Sequence, residues 1–162
     1  MRRQFFGTMM NGAVPVNPVF NTLVHSYNCD NNVLDQKGSA NGTLVGGTSY
    51  VTGVINQAIQ GDGISGSVSF ADNSWDVTTD FTMSIWFKHN ADTFSSFPIC
   101  LFDGTYGFYI YELGGTYRVA YGVFANAVII GSGAGFATTR HHVVCTLIGT
   151  EFKIYLDGDR KS

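Results

Sequence analysis

In Phe81-Thr82-Met83-Ser84-Ile85-Trp86-Phe87-Lys88 every second residue is large and apolar. Phe81, Met83, Ile85 and Phe87 share one face; Thr82, Ser84 and Trp86 share the other. A period of two is the signature of a half-buried strand and cannot be laid on a helix. The same period returns near the end of the chain. Val143, Cys145 and Leu147 alternate with Val144, Thr146 and Ile148, and Phe152, Ile154 and Leu156 alternate with Lys153 and Tyr155. Gly149-Thr150-Glu151 joins these two runs, and Gly114-Gly115 joins Gly107–Leu113 to Thr116–Gly122, as in tight hairpins. Shorter runs stand at Phe20–Tyr27, Gly42–Val45, Gly66–Phe70, Pro98–Phe102 and Asn126–Ile130. Val54–Ile59 suits either one helical turn or a strand. The Gly-rich stretch Gly131–Gly135 and residues 72–80 read as loops. Around ten short strands with no crossover helices make an all-β, antiparallel two-sheet sandwich.

Composition agrees. Thirteen Phe, eight Tyr and twenty Gly suit strands and turns, and two Glu with four Lys are too few for a helical bundle. Charged residues are 13%, about half the usual share, and the formal net charge is −3. With no Lys/Arg cluster, a nucleic-acid binder is excluded. No apolar run approaches the length of a membrane-spanning helix. Cys29, Cys100 and Cys145 are odd in number and widely spaced, which reads as buried free thiols; one disulfide with a spare thiol is the competing pattern. The spacings do not suit a zinc site.

Residues 1–19 form an extended N-terminal arm ahead of a domain spanning 20–162. Met1-Arg2-Arg3-Gln4-Phe5-Phe6 resembles a twin-arginine export signal, but Asn11, Pro15, Asn17 and Pro18 interrupt what should be an apolar stretch. Gly7, Gly12, Pro15 and Pro18 forbid a regular helix. Phe5, Phe6, Met9 and Met10 are costly to leave in water, so the arm is expected to lie on another surface. Its anchoring residues would be Arg2, Arg3, Phe5, Phe6, Met9 and Met10, and its partner another structural subunit.

Five segments, in order, resemble the laminin-G-like branch of the concanavalin A-like lectin/glucanase jelly rolls. Leu23–Asn32 is similar to the family's opening strand, ending in a D-x-x-x-x-D turn at Asp30 and Asp35. Asn41-Gly42-Thr43-Leu44 with Gly46-Gly47, and Gly53–Ile59, are similar to its next two segments. Asp80–Lys88 resembles its D-F-T-I-S-x-W-F-K strand. His142-Val143-Val144 and Tyr155-Leu156-Asp157-Gly158 resemble its H-V-A strand and Y-V-D-G hairpin. Arg140-His141 departs from the pattern, which has Trp there. The family continues past this hairpin with further strands, the last of which pairs beside the first, so the expectation is either that the sequence is truncated and the domain lacks its last strands, or that the edge at Phe20–Asn28 is covered by something else.

The resemblance implies a jelly roll, and that fold hosts lectins, adhesion modules, glucanases and structural units. A glucanase would resemble an E-x-D-x-x-E strand, because retaining hydrolysis needs two carboxyls about 5 Å apart. The only glutamates are Glu112 and Glu151, far apart in the chain, and no enzyme is expected. His141 and His142 point to opposite faces of one strand and cannot chelate a metal together. Related modules hold calcium with Asp and carbonyl oxygens, which makes Asp62 and Asp103 the calcium candidates. Sugar binding needs exposed aromatics beside polar groups. Trp86 and the hairpin tyrosines Tyr109, Tyr111, Tyr117 and Tyr121 are the glycan-binding candidates, with packing of these rings onto the sandwich as the competing role. The expected function is a non-enzymatic attachment module of a larger assembly such as a phage virion, displayed on its surface as a head fibre, decoration or tail protein and contacting cell-surface glycans. The alternative is a secreted or surface-anchored bacterial adhesion domain.

Overall fold

A computed structural model describes residues 23–70, 80–89, 96–102, 107–122, 126–132, 136 and 138–161. The predicted arm, residues 1–19, lies outside them. The described chain is an all-β, antiparallel jelly-roll sandwich, and it divides into two compact units, residues 1–71 and 72–162.

The first unit contains β1 (Gly42–Val45), β2 (Ser49–Thr52), β3 (Gln57–Gln60) and β4 (Ser67–Phe70). β1 pairs with β4, and β2 with β3. Gly42 is needed where it stands: a Cβ there would lie 2.7 Å from Val68 Cγ1 and 3.0 Å from Val33 Cβ. The expected opening strand within Leu23–Asn32 is not a strand; the chain from 23 to 41 is irregular, and Phe20 lies outside the described residues. What orders it is the carboxylate of Asp35. That group accepts from the amides of Ser26 (3.1 Å), Lys37 (3.0 Å) and Ala40 (3.3 Å) and meets His25 Nδ1 at 2.6 Å. Tyr27 adds a bond from its hydroxyl to the Ala40 carbonyl and packs on Phe70, ring centres 5.2 Å apart. Side-chain-to-backbone bonding competes with ladder formation, and here it wins. β2 was not apparent in the sequence, and Val54–Ile59 resolves into a turn followed by β3, with Asn56 at φ 52° closing the turn.

The second unit contains β5 (Phe81–Phe87), β6 (Ser96–Phe102), β7 (Gly107–Leu113), β8 (Thr116–Tyr121), β9 (Asn126–Ser132), β10 (His141–Ile148), β11 (Glu151–Leu156) and β12 (Asp159–Arg160). One sheet has the order β12-β11-β10-β5 and the other β6-β7-β8-β9. Phe108, Ile110, Tyr117, Val119 and Ile130 of the second sheet form one buried cluster with Val143, Cys145, Ile154 and Leu156 of the first. Met83, Ile85, Phe87 and Phe152 pack against it. The period-two readings of β5, β10 and β11 therefore point the predicted faces inward. The register of β6 on β7 shifts between Ser96 and Ile99, beside Pro98, which has no N–H to give the ladder. β9 runs on through Gly131 and Ser132, where the sequence suggested a loop. Gly131 stands opposite Tyr117, and a Cβ on it would lie 2.1 Å from the ring of Phe136.

Cys29 and Cys145 are free thiols. Cys145 is buried between Met83 and Ile154 in register, and burial pushes its thiol up to about 12. A thiol reagent at pH 8 should modify Cys145 only as fast as the unit opens. Peptide mapping that found Cys145 labelled as rapidly in native as in denatured protein would contradict this packing.

Candidate functional site

The sheet β12-β11-β10-β5 has one face in the core and one in solvent. The cross-strand register fixes what stands side by side on the outer face. Trp86 is opposite His142, Ser84 is opposite Val144, and Thr82 is opposite Thr146. Val144 in turn faces Tyr155, Thr146 faces Lys153, and Tyr155 faces Arg160 on β12. Directly opposed residues have Cβ atoms about 4.5–5.5 Å apart, so these rows form a continuous surface.

Trp86 is the large aromatic this surface exposes, at 67% of its area. Its ring is stacked on the imidazole of His142, centres 4.7 Å apart and 16° from parallel. His142 Nε2 lies 2.8 Å from Ser84 Oγ, which sets the tilt of the imidazole. The main chain below is pinned from the side. Asp157 Oδ1 accepts the His142 amide at 2.8 Å, and the Asp157 amide donates to the His142 carbonyl at 2.9 Å. Asp157 takes φ 52° and Gly158 φ 93° in the β11–β12 turn, a backbone that favours Asp-Gly. Burial acts to raise the Asp157 carboxyl, but the His142 amide and the His141 ring outweigh it and hold the group below its ordinary value. The indole thus rests on a second ring whose backbone and side chain are both tied down.

His141 and His142 do point to opposite faces. His141 is buried, its Nδ1 2.8 Å from Asp157 Oδ2 and its Nε2 3.1 Å from the Phe136 carbonyl, with its ring stacked on Phe136. Its role is to join β10 to the turn and to the inner packing.

The four hairpin tyrosines are not brought together with Trp86. Tyr117 is completely buried in the sandwich core, 2.5 Å from His89 Nδ1 and packed on Phe136. Tyr121 is on the same inner side, half-buried against Phe81 and Phe152. Tyr109 is buried, and Tyr111 is half-buried with the Arg118 guanidinium 5.9 Å over its ring. A ring with no exposed face cannot stack on a sugar, and the completely buried Tyr117 presents none. Residues on either side of Gly114-Gly115 alternate between core and outer surface, which puts Tyr117 and Tyr121 on the inner side and Tyr109 and Tyr111 on the other.

Of the calcium candidates, Asp103 lies outside the described residues. Asp62 is a turn former. Its Oδ1 accepts from the amides of Ile64, Ser65 and Gly66 at 2.7–2.9 Å, and its Oδ2 from Ser65 Oγ at 3.1 Å. Those donors hold its carboxyl well below the usual range. They also surround it with N–H groups where a calcium site would present oxygen. Among the described residues no group of three His, Cys, Asp or Glu side chains is placed to hold a metal ion.

Glu112 and Glu151 stand on different sheets. Glu112 is buried; its Oε1 accepts the Gly115 amide, and its Oε2 has no hydrogen-bond partner among the described residues. Glu151 is exposed, bound to Lys153 Nζ at 2.9 Å with Arg160 at 3.9 Å. His142 and Tyr155 were not identified as site residues from the sequence. The signal was present in the period of β10 and β11, but only the register against β5 shows that His142 lies under Trp86.

The family model of the concanavalin A-like lectin/glucanases superfamily matches residues 62–162, a span that includes all of β5 to β12. No curated protein and no solved structure matches the chain.

Proposed function

We propose, for a chain that belongs to the concanavalin A-like lectin/glucanases superfamily, that the outer face of the β12-β11-β10-β5 sheet is a carbohydrate-binding surface and that the domain is a non-catalytic recognition module. The observation that carries this reading is the exposed indole of Trp86, held flat by a stacked and hydrogen-bonded His142. A pyranose has one apolar face and a polar rim. The indole suits the face, and Ser84, Thr82, Thr146 and the half-buried Tyr155 offer hydroxyls to the rim. A ring already immobilised loses little entropy on binding. The test is a glycan array followed by NMR titration with the best glycan. The Trp86 indole N–H and the amides of residues 84–86 and 142–144 are expected to move. Perturbations confined to the other sheet would overturn the placement of the site, and an array without binders would overturn the reading itself.

The attachment half of the reading rests on residues 1–19. Their Phe, Met and Val side chains, with Arg2 and Arg3, anchor the module to a subunit of a larger particle, a phage virion being the setting that suits such a display domain. Deleting residues 2–16 is expected to leave β1 to β12 folded and to abolish incorporation into the assembly. A truncated protein that unfolds or aggregates by itself would instead make the arm a cover for its own domain.

A further inference from the structure

The charge around Trp86 is at odds with the charge of the chain. The protein carries a formal net charge of −3 and only nine Lys and Arg residues. Four of these, Lys88, Arg140, Lys153 and Arg160, lie on or directly beside the outer face of one sheet. Lys153 and Arg160 flank Tyr155 and share the carboxylate of Glu151. Lys88 and Arg140 are different. They stand one residue beyond the last register pair, Phe87 with His141, at the adjacent ends of β5 and β10 and two residues along the chain from Trp86 and His142. Both are exposed, and neither forms an ion pair among the described residues. Among the described residues, the Asp157 carboxylate faces His141 and the His142 amide, and Glu151 faces Lys153 and Arg160.

We infer that the saccharide bound at this surface is anionic, with its ring on Trp86 and its acid group against Arg140 and Lys88. This rests on the proposed glycan site. Two cations with no ion pair among the described residues, at the edge of a stacking platform, supply what an equatorial acid substituent needs: the acid extends sideways from the ring, in the plane that lies parallel to the indole. A guanidinium receives a carboxylate or a sulfate through two parallel N–H bonds, and an adjacent ammonium adds a point charge. Cations gathered at one edge repel each other, and a ligand of opposite sign is drawn to them and relieves that repulsion.

The test measures binding of three oligosaccharides matched in length by calorimetry at low and moderate salt: one bearing uronate carboxylates, one bearing sulfates, and one neutral. At least one acidic arm should bind about tenfold or more tightly than the neutral one, with affinity falling as salt rises. The arm that wins identifies the acid group. Arg140→Gln and Lys88→Gln should each remove about tenfold from the acidic arm and leave neutral-sugar binding unchanged. Equal binding of acidic and neutral sugars that is lost in Trp86→Ala would overturn this inference and keep the glycan site. Acidic binding that ignores both substitutions would overturn the placement of the acid group. Absence of binding in all arms would overturn the inference together with the site.

Discussion

Replacing Asp35 by alanine is expected to cost the first unit about 3 kcal/mol or more, read as a shift of its urea transition and as lost protection of the amides of Ser26, Lys37 and Ala40 in hydrogen exchange. The side chain of Asp35 is fully inaccessible and is the common acceptor for those three amides and for His25. A fully buried stranded donor costs about 1–3 kcal/mol; these bonds are part-buried, so each loss lies toward the low end and the three together reach about 3 kcal/mol. Asp35→Asn keeps one acceptor oxygen and should fall between the two. Burial alone would raise this carboxyl, but the His25 ring and the amides of Gly38, Lys37 and Ser26 overcome it and hold the group far below the ordinary value. A carboxyl depressed in the folded state contributes stability that is whole above the unfolded value, about 3.9, and lost as pH falls below it. Wild-type protein should therefore lose stability as pH falls below about 4, and the Asp35→Ala variant should show a flatter acid limb. A variant within about 0.5 kcal/mol of wild type would mean that Asp35 does not organise residues 23–41.

Trp86→Ala is expected to weaken glycan binding by roughly 10- to 100-fold while leaving the unfolding midpoint nearly unchanged. The indole is exposed, so its loss opens no cavity. What disappears is the apolar area that a sugar ring would cover, about 1.5–3 kcal/mol at the usual value for burying a large side chain. His142→Ala should reproduce part of the loss, because the indole would no longer rest on a stacked ring 4.7 Å away. A Trp86→Ala protein that binds as well as wild type would remove the surface from consideration as the glycan site.

How far the sequence could be read depended on whether a feature is local. Inward and outward residues of β5, β10 and β11 follow from a period of two that each strand carries by itself, and the glycines at 114, 115 and 149 mark turns by their own backbone freedom, with φ of 60°, 74° and 59°. For the same reason His141 and His142 could be sent to opposite faces without knowing any neighbour. The irregular stretch from 23 to 41 was misread as beginning with a strand, because its apolar residues fit one and the competing acceptor, Asp35, acts over several intervening residues.

The tyrosines of β7 and β8 show the other limit. Alternation separates Tyr109 and Tyr111 from their inward neighbours, but it cannot say that the Tyr117 side chain would be completely enclosed, since enclosure is made by the opposing sheet and by Phe136. The residues of the proposed site come from β5, β10, β11 and β12, and their adjacency is a property of register. The sequence by itself determined β5, β10 and β11, the turns at Gly114-Gly115 and Gly149, and the face each side chain of those strands takes, because those depend on backbone geometry within a few residues. Only the tertiary structure decided that Trp86 stands on His142 and that Tyr117 is core, because pairing between distant strands and packing of one sheet on the other are settled by which segments meet in space.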